Sequence, residues 1–281
     1  MMIHDNRICQ LGEGAFWHPE RRQFLWFDIL GKRLLSQDAD GGPLEWRFDR
    51  MASAAAWIDR DRLLIATETG LNILSLGSGA LTEVAAVEAD NPATRSNDGR
   101  ADRQGGFWFS TMGRNGEPGL GAIYRYHRGE VRKLLDPITI PNSICFSPDG
   151  GTVHYSDTDR GIVWRQGLDT DGWPESERQV YLDLSAAGWS PDGAVIDASG
   201  GFCCAIWGQG AVMRFDADSQ RTHEWKVGGQ HSSCPAFGGP DLTQLLVTTA
   251  LDGIDNPDEA QGTTWLLDSG LAGMPEPRVI L

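Results

Sequence analysis

The chain has 281 residues, 40% of them hydrophobic, with 35 Gly and 14 Pro. That is enough apolar material for a full core, which excludes a disordered chain, and the Gly and Pro content is the punctuation of many short strands. With 24 basic against 39 acidic residues the net charge is −15, so a nucleic-acid backbone or an anionic membrane would be repelled, and the charge serves solubility.

The opening segment, MMIHDNRICQLGEG, contains no apolar core of a secretory signal, and no later apolar run approaches membrane-spanning length. The five cysteines, Cys9, Cys145, Cys203, Cys204 and Cys234, are odd in number and include no C-x-x-C pair. That argues against a disulfide framework or a thiolate zinc site. The expected compartment is the reducing cytoplasm. Strand-like runs follow in order at Phe24–Ile29, Arg62–Thr69, Gly106–Met112, Thr152–Thr158, Gly201–Trp207 and Gln244–Ala250. Their spacing of roughly 40 to 50 residues is the period of propeller blades. Most follow a polar turn (HPERRQ, DRDR, DRQG, SPDGG, DASG, GPDLTQ) and precede a second apolar run, which is a hairpin signal. Six such repeats predict an all-β, six-bladed β-propeller spanning residues 1–281 as one domain. TTWLLDSG and ICQLGEG are expected to share a blade and close the ring. Trp26, Trp108 and Trp207 read as packing between sheets, and the adjacent Cys203 and Cys204 as facing opposite sides of one strand.

Four short pieces lie beside these strands: LGEGAFW around Glu13, TRSNDGR around Arg95 and Asn97, IPNSICFSPDG around Asn142, and SPDGAVID around Asp192. In a propeller, residues so distant in sequence meet at the mouth of the central channel. Two carboxylates and an amide oxygen are hard donors that suit Ca²⁺, Mg²⁺, Mn²⁺, Fe²⁺ or Zn²⁺, and no pair of the six His reads as a competing ligand couple. Taken singly, each is an ordinary loop or turn residue. The tetrapeptide Ser-Pro-Asp-Gly occurs at 147–150 as well as 190–193, and the first copy reads as a turn. Asp98 reads as a loop-fixing carboxylate ahead of the alternative, a part in binding a second, weaker ion. Asp157, Asp159 and Gly161 lack the Glu that would complete an EF-hand loop, and they read as a turn.

In this order the pieces resemble the senescence-marker-protein/gluconolactonase family, the regucalcin-like sugar lactonases, over nearly the whole chain. Glu13 in LGEGAFW, Asn142 in IPNSICFSPDG and Asp192 in SPDGAVID resemble the family's metal ligands. Arg95 and Asn97 in TRSNDGRADRQGGFWFSTM resemble its substrate-contacting arm, and Glu117 in the following loop is a third candidate for a sugar hydroxyl. SSCPAFGGPDLTQLLVTTA resembles the stretch before its last blade. Ala15 departs from a frequent Pro. The resemblance implies a six-bladed propeller that hydrolyses aldono-1,4- or 1,5-lactones with one divalent metal ion.

Lactone hydrolysis needs a polarised carbonyl and an activated water. The expected roles are Glu13 and Asn142 as holders of the ion, and Asp192 as both ligand and proton acceptor. Arg95 and Asn97 meet the lactone, Arg95 facing developing oxyanion charge. No G-x-S-x-G elbow, P-loop or dinucleotide fingerprint competes. The alternatives are a metal-dependent esterase or organophosphate hydrolase on the same scaffold, and a non-catalytic metal-binding propeller. The expected partner is a small sugar lactone, with the protein a monomer or weak homo-oligomer.

Overall fold

The computed structural model describes residues 1–281, which form six four-stranded antiparallel sheets. The six-bladed propeller expected from the period is present. Blades 1 to 5 are simple meanders. Their innermost strands are Gly12–His18, Ala52–Asp59, Thr94–Ala101, Pro141–Phe146 and Ser190–Ile196. Blade 6 runs His231–Gly238, Gln244–Ala250, Thr264–Asp268 and takes its outer strand from Met2–Asp5. The ring is therefore closed by MIHD pairing with TWLLD. The segment ICQLGEG, expected to share that blade, instead carries the chain across to blade 1. Its ties to blade 6 are a bridge between Leu11 and Ala250, a bond from Cys9 N to Gly262 O, and bonds from Leu251 N and Asp252 N to the Cys9 and Gln10 carbonyls. The reason is length: after Met2–Asp5 the chain must travel from the rim of the disc back to its axis.

Burial falls from axis to rim. Gly12–His18, Pro141–Phe146 and His231–Gly238 are buried throughout, whereas the outer Arg221–Lys226 is almost wholly exposed. Six strands converging on one axis favour small side chains, and the inner strands accordingly read ASAAAWID or TRSNDGRA. Cys203 and Cys204 face different clusters, as alternation requires. Trp26 and Trp108 are fully buried between sheets. Trp207 is not: it ends its strand opposite Ser190, at the edge of the disc, and is half-buried.

Every inner strand slips register by one residue near its start: after Glu13, Ala52, Ser96, Asn142, Pro191 and Ser232. Such bulges re-aim side chains. Here six of them form a ring at one level, and all the candidate ligands sit on it. In blades 1 and 4 the residue after the candidate ligand is left-handed, Gly14 at φ 56° and Ser143 at φ 60°. A Cβ on Gly14 would lie 2.1 Å from Ser53 O of blade 2, so this position is closed to any other residue.

The opposite ends of the inner strands are closed. Residues 270–281 cross beneath blades 5, 6, 2 and 3, with bonds from Ala198 N to Ala272 O, Gly273 N to Leu242 O, Val279 N to Trp57 O and Ile280 N to Gly105 O. Glu276 pairs with Arg100 inside the channel. The channel thus has one open mouth. Hairpin turns at the closed end are held by buried aspartates. Asp102 accepts from Gly106 N (2.7 Å), Trp108 Nε1 (3.1 Å) and Arg125 Nε (2.6 Å). Asp197 repeats the pattern with Gly201 N and Arg214 Nε. No helix is long and apolar enough to cross a membrane.

Candidate active site

The bulge ring lines a cavity of about 590 Å³ at the open mouth, bordered by Glu13, Arg95, Asn97, Asn142 and Asp192. Five of the six residues singled out in sequence are therefore brought together. Glu117 is the exception. The turn after Gly113 carries Asn115 to the cavity, and the Glu117 carboxylate lies behind it, accepting from Asn115 N (3.0 Å) and Nδ2 (2.8 Å). Glu117 positions Asn115 and does not border the cavity itself.

A one-way chain of hydrogen bonds orients the amides. Arg95 can only donate, and its Nη1 reaches Asn97 Oδ1 at 2.8 Å. That turns Asn97 Nδ2 toward Pro141 O (3.0 Å) and Asn142 Oδ1 (2.9 Å). Asn142 Nδ2 then faces Thr158 Oγ1 at 2.8 Å, and Thr158 donates onward to Pro191 O at 2.6 Å. A donor-only group at one end and an acceptor-only carbonyl at the other leave no freedom to flip either amide. Asn142 Oδ1 keeps a second lone pair for a ligand at the cavity. Both hydrogens of Asn97 Nδ2 are engaged, so only its Oδ1 remains to meet a substrate hydroxyl. Thr158 was not foreseen from sequence, because a threonine after a strand carries no chemical signature.

The backbone beneath is equally fixed. Ser143 Oγ donates to Asp192 O at 2.5 Å and accepts from Ser156 Oγ at 2.9 Å. Asp98, as expected, fixes structure: it accepts from Ile144 N (2.7 Å) and Gly99 N (2.8 Å), joining blades 3 and 4. The tetrapeptide at 147–150 is a turn, with Gly150 N bonded to Ser147 O, whereas the copy at 190–193 lies in the bulged inner strand.

Charge in the cavity floor is unbalanced. Burial, then the charge of Asp98, pushes the Glu13 carboxyl up to about 8. Burial, then Glu13 and Asp98, holds Asp192 well above the usual carboxylate range. Burial also lowers Arg95, the nearest cation, whose Nε is buried without a partner. No cluster of three His, Cys, Asp or Glu side chains forms a ready cage. Two buried carboxyls held above their ordinary range, with one oriented amide oxygen, are a donor set that a hard divalent cation fits, with positions left open for a ligand. Arg95 Nε calls for an acceptor oxygen beside it. Around the rim stand Arg114, Asn115, Asp159, Trp207 and Asp252, none singled out in sequence as site residues.

Residues 11–251 match the SMP-30/Gluconolactonase/LRE-like region. The L-arabinolactonase of Azospirillum brasilense is 34% identical, the alignment covering 95% of this chain and 91% of that protein. The pentonolactonase XacC of Haloferax volcanii is 30% identical over 96% and 94%. A crystal structure of a calcium-binding protein, regucalcin, from Agrobacterium tumefaciens superimposes with a TM-score of 0.97 at 38% identity, covering 99% of this chain and 97% of that one.

Proposed function

The chain belongs to the SMP-30/gluconolactonase/LRE-like family, and we propose that it hydrolyses sugar lactones to aldonic acids at a divalent cation held by Glu13, Asn142 and Asp192. The observation that carries the reading is the pair of buried carboxyls, Glu13 and Asp192, at the cavity beside an amide whose orientation is locked. A cation there supplies Lewis acidity and lowers the pKa of a water molecule. The chain's own residues do the rest. Asp192 takes the proton from the attacking water. Arg95, through its unpartnered Nε, faces the lactone carbonyl oxygen and stabilises the oxyanion as the ring opens. Asn97 accepts from a ring hydroxyl through Oδ1 while orienting Asn142.

Two relatives named for pentonolactone and L-arabinolactone hydrolysis make five-carbon aldonolactones the first substrates to try. The whole chain acts as one domain. Its five free, buried cysteines support a cytoplasmic, reducing setting. Ca²⁺, Zn²⁺, Mn²⁺, Mg²⁺ and Fe²⁺ all suit the donor set.

The test is proton release from a panel of aldono-1,4- and 1,5-lactones by metal-stripped protein, with each ion added back and spontaneous opening subtracted. Ion-dependent acceleration on one sugar configuration supports the reading. No acceleration with any ion overturns it. Asp192→Ala that keeps more than about a tenth of wild-type turnover with metal bound removes Asp192 as the proton acceptor.

A further inference from the structure

One side of the cavity has no part in the chemistry above. Leu11, Leu30 and Trp207 border it. Trp207 ends the second strand of blade 5 and pairs with Ser190, at the level of the bulge ring. Its indole stacks on the His231 imidazole, centroids 4.2 Å apart at 21°. His231 is in turn fixed by a contact of 2.9 Å between Nδ1 and Asp252 O. Trp207 also packs at the margin of the cluster containing Leu11 and Ala250. The indole is therefore held rigidly from behind, and its remaining surface borders the cavity.

Topology sets what lies across from it. Neighbouring inner strands pack in chain order around the ring, so blade 3, which carries Arg95 and Asn97, stands diametrically opposite blade 6, which carries His231. Trp207, the one aromatic residue bordering the cavity, stands at the junction of blades 5 and 6 across from the polar arm on blade 3, where Met112 and Ile140 also border the cavity. A sugar lactone has the same two-sidedness: C–H bonds cover part of one ring face, and hydroxyls project from the edge.

We propose that Trp207 is the stacking platform for the lactone ring. The C–H-bearing face lies on the indole while the polar edge turns to blade 3, the carbonyl oxygen to Arg95 and a hydroxyl to Asn97. This rests on the lactonase reading and adds its specificity element. The contact is the same before and after the carbonyl carbon becomes tetrahedral, so it acts on ground state and transition state alike. It therefore sets KM and leaves kcat nearly unchanged. It also sorts epimers, because a hydroxyl turned onto the stacking face would lift the ring from the indole.

The experiment compares wild type, Trp207→Phe and Trp207→Leu on L-arabinono-1,4-lactone and its C2 and C3 epimers, L-ribono-1,4-lactone and L-lyxono-1,4-lactone, at saturating Mn²⁺. Affinity for Mn²⁺ alone is measured by calorimetry and folding by thermal melts. Trp207→Leu is expected to raise KM about three- to tenfold at near-constant kcat. The spread of KM among epimers should narrow, Trp207→Phe should fall between, and Mn²⁺ affinity should stay at the wild-type value. An unchanged KM in a folded Leu variant overturns the proposal. So does a loss of kcat together with Mn²⁺ affinity, which would make Trp207 a prop for the metal-binding residues. If wild type opens no lactone, the activity reading fails by itself. The platform is then judged by binding of 1,5-anhydroglucitol, an unreactive ring. Weaker binding by Trp207→Leu supports it; equal binding, or none by either protein, overturns it.

Discussion

Thr158→Val tests the directional hydrogen-bond chain at its least obvious link. Valine keeps the shape of threonine and removes the hydroxyl. Two bonds go, from Asn142 Nδ2 at 2.8 Å and to Pro191 O at 2.6 Å. In a part-buried place each is worth about 1 kcal/mol net, so stability should fall by about 1–2 kcal/mol. The larger effect is on the cation. With no acceptor for Nδ2, the amide of Asn142 is held only by Asn97, and its ligating oxygen is no longer locked toward the cavity. Loss of such a supporting partner costs about 10- to 100-fold in metal affinity, or roughly 1.4–2.7 kcal/mol. Calorimetric titration with Mn²⁺ and urea unfolding separate the two effects. Thr158→Ser restores the hydroxyl and should bind Mn²⁺ within about threefold of wild type. A folded Val variant with wild-type Mn²⁺ affinity would refute the reasoning, as would a Ser variant no better than Val.

Arg125→Met should lower stability by about 3–5 kcal/mol in urea unfolding, because it leaves the wholly buried Asp102 without its cation. Mn²⁺ affinity should not change, since the pair lies at the closed end of the channel. Gly14→Ala should cost about 1–2 kcal/mol from the left-handed backbone alone, before the clash with Ser53 O. A soluble variant with a wild-type melt would contradict the bulge geometry. His154 concerns pH: burial among Tyr181 and Phe202, then Arg165, brings it from 6.5 down to about 4. The fold thus favours the neutral ring, and that contribution is whole above pH 6.5 and lost as pH falls from 6.5 toward 4, amounting to about 3 kcal/mol. The stability gap between wild type and His154→Phe should shift by about 2.5 kcal/mol between pH 7.5 and 4.5, the rest being lost below that; a constant gap would count against it.

The blade period was legible because the second strand of each blade is buried on both faces and reads as an apolar run, as in FLWFDI and QLLVTTA. The inner strands were harder. Thr94–Ala101 and Ala52–Asp59 lie at a crowded axis, where small and polar residues replace the large apolar ones that mark a strand. The candidate ligands were found through their motifs and not through the strands that carry them. Glu117 was misplaced for a local reason: it is two residues from Asn115 in a tight turn, and only the turn decides which of them reaches the cavity. Trp207 was grouped with Trp26 and Trp108 because all lie in second strands, but one at the end of a strand faces the mouth and the others face neighbouring sheets.

The two Ser-Pro-Asp-Gly copies show what separates a turn from a site when composition is identical. After residues 147–150 the chain enters its second strand at once, at Thr152, so the tetrapeptide has to be the hairpin turn. After residues 190–193 a further turn, Asp197-Ala198-Ser199-Gly200, comes before the second strand at Phe202. That second turn already makes the hairpin, which forces the earlier copy into the inner strand. There a turn-forming sequence within a strand becomes a bulge, and its aspartate is aimed at the axis, where it meets Glu13. Glu13 and Asn142 also lie one turn upstream of the hairpin, HPERRQ and SPDGG respectively. A polar residue next to a Gly, or a Ser able to adopt a left-handed backbone, one turn too early for the hairpin is thus the mark of this site. It follows from the geometry of a bulged strand at a propeller axis and does not depend on any one motif.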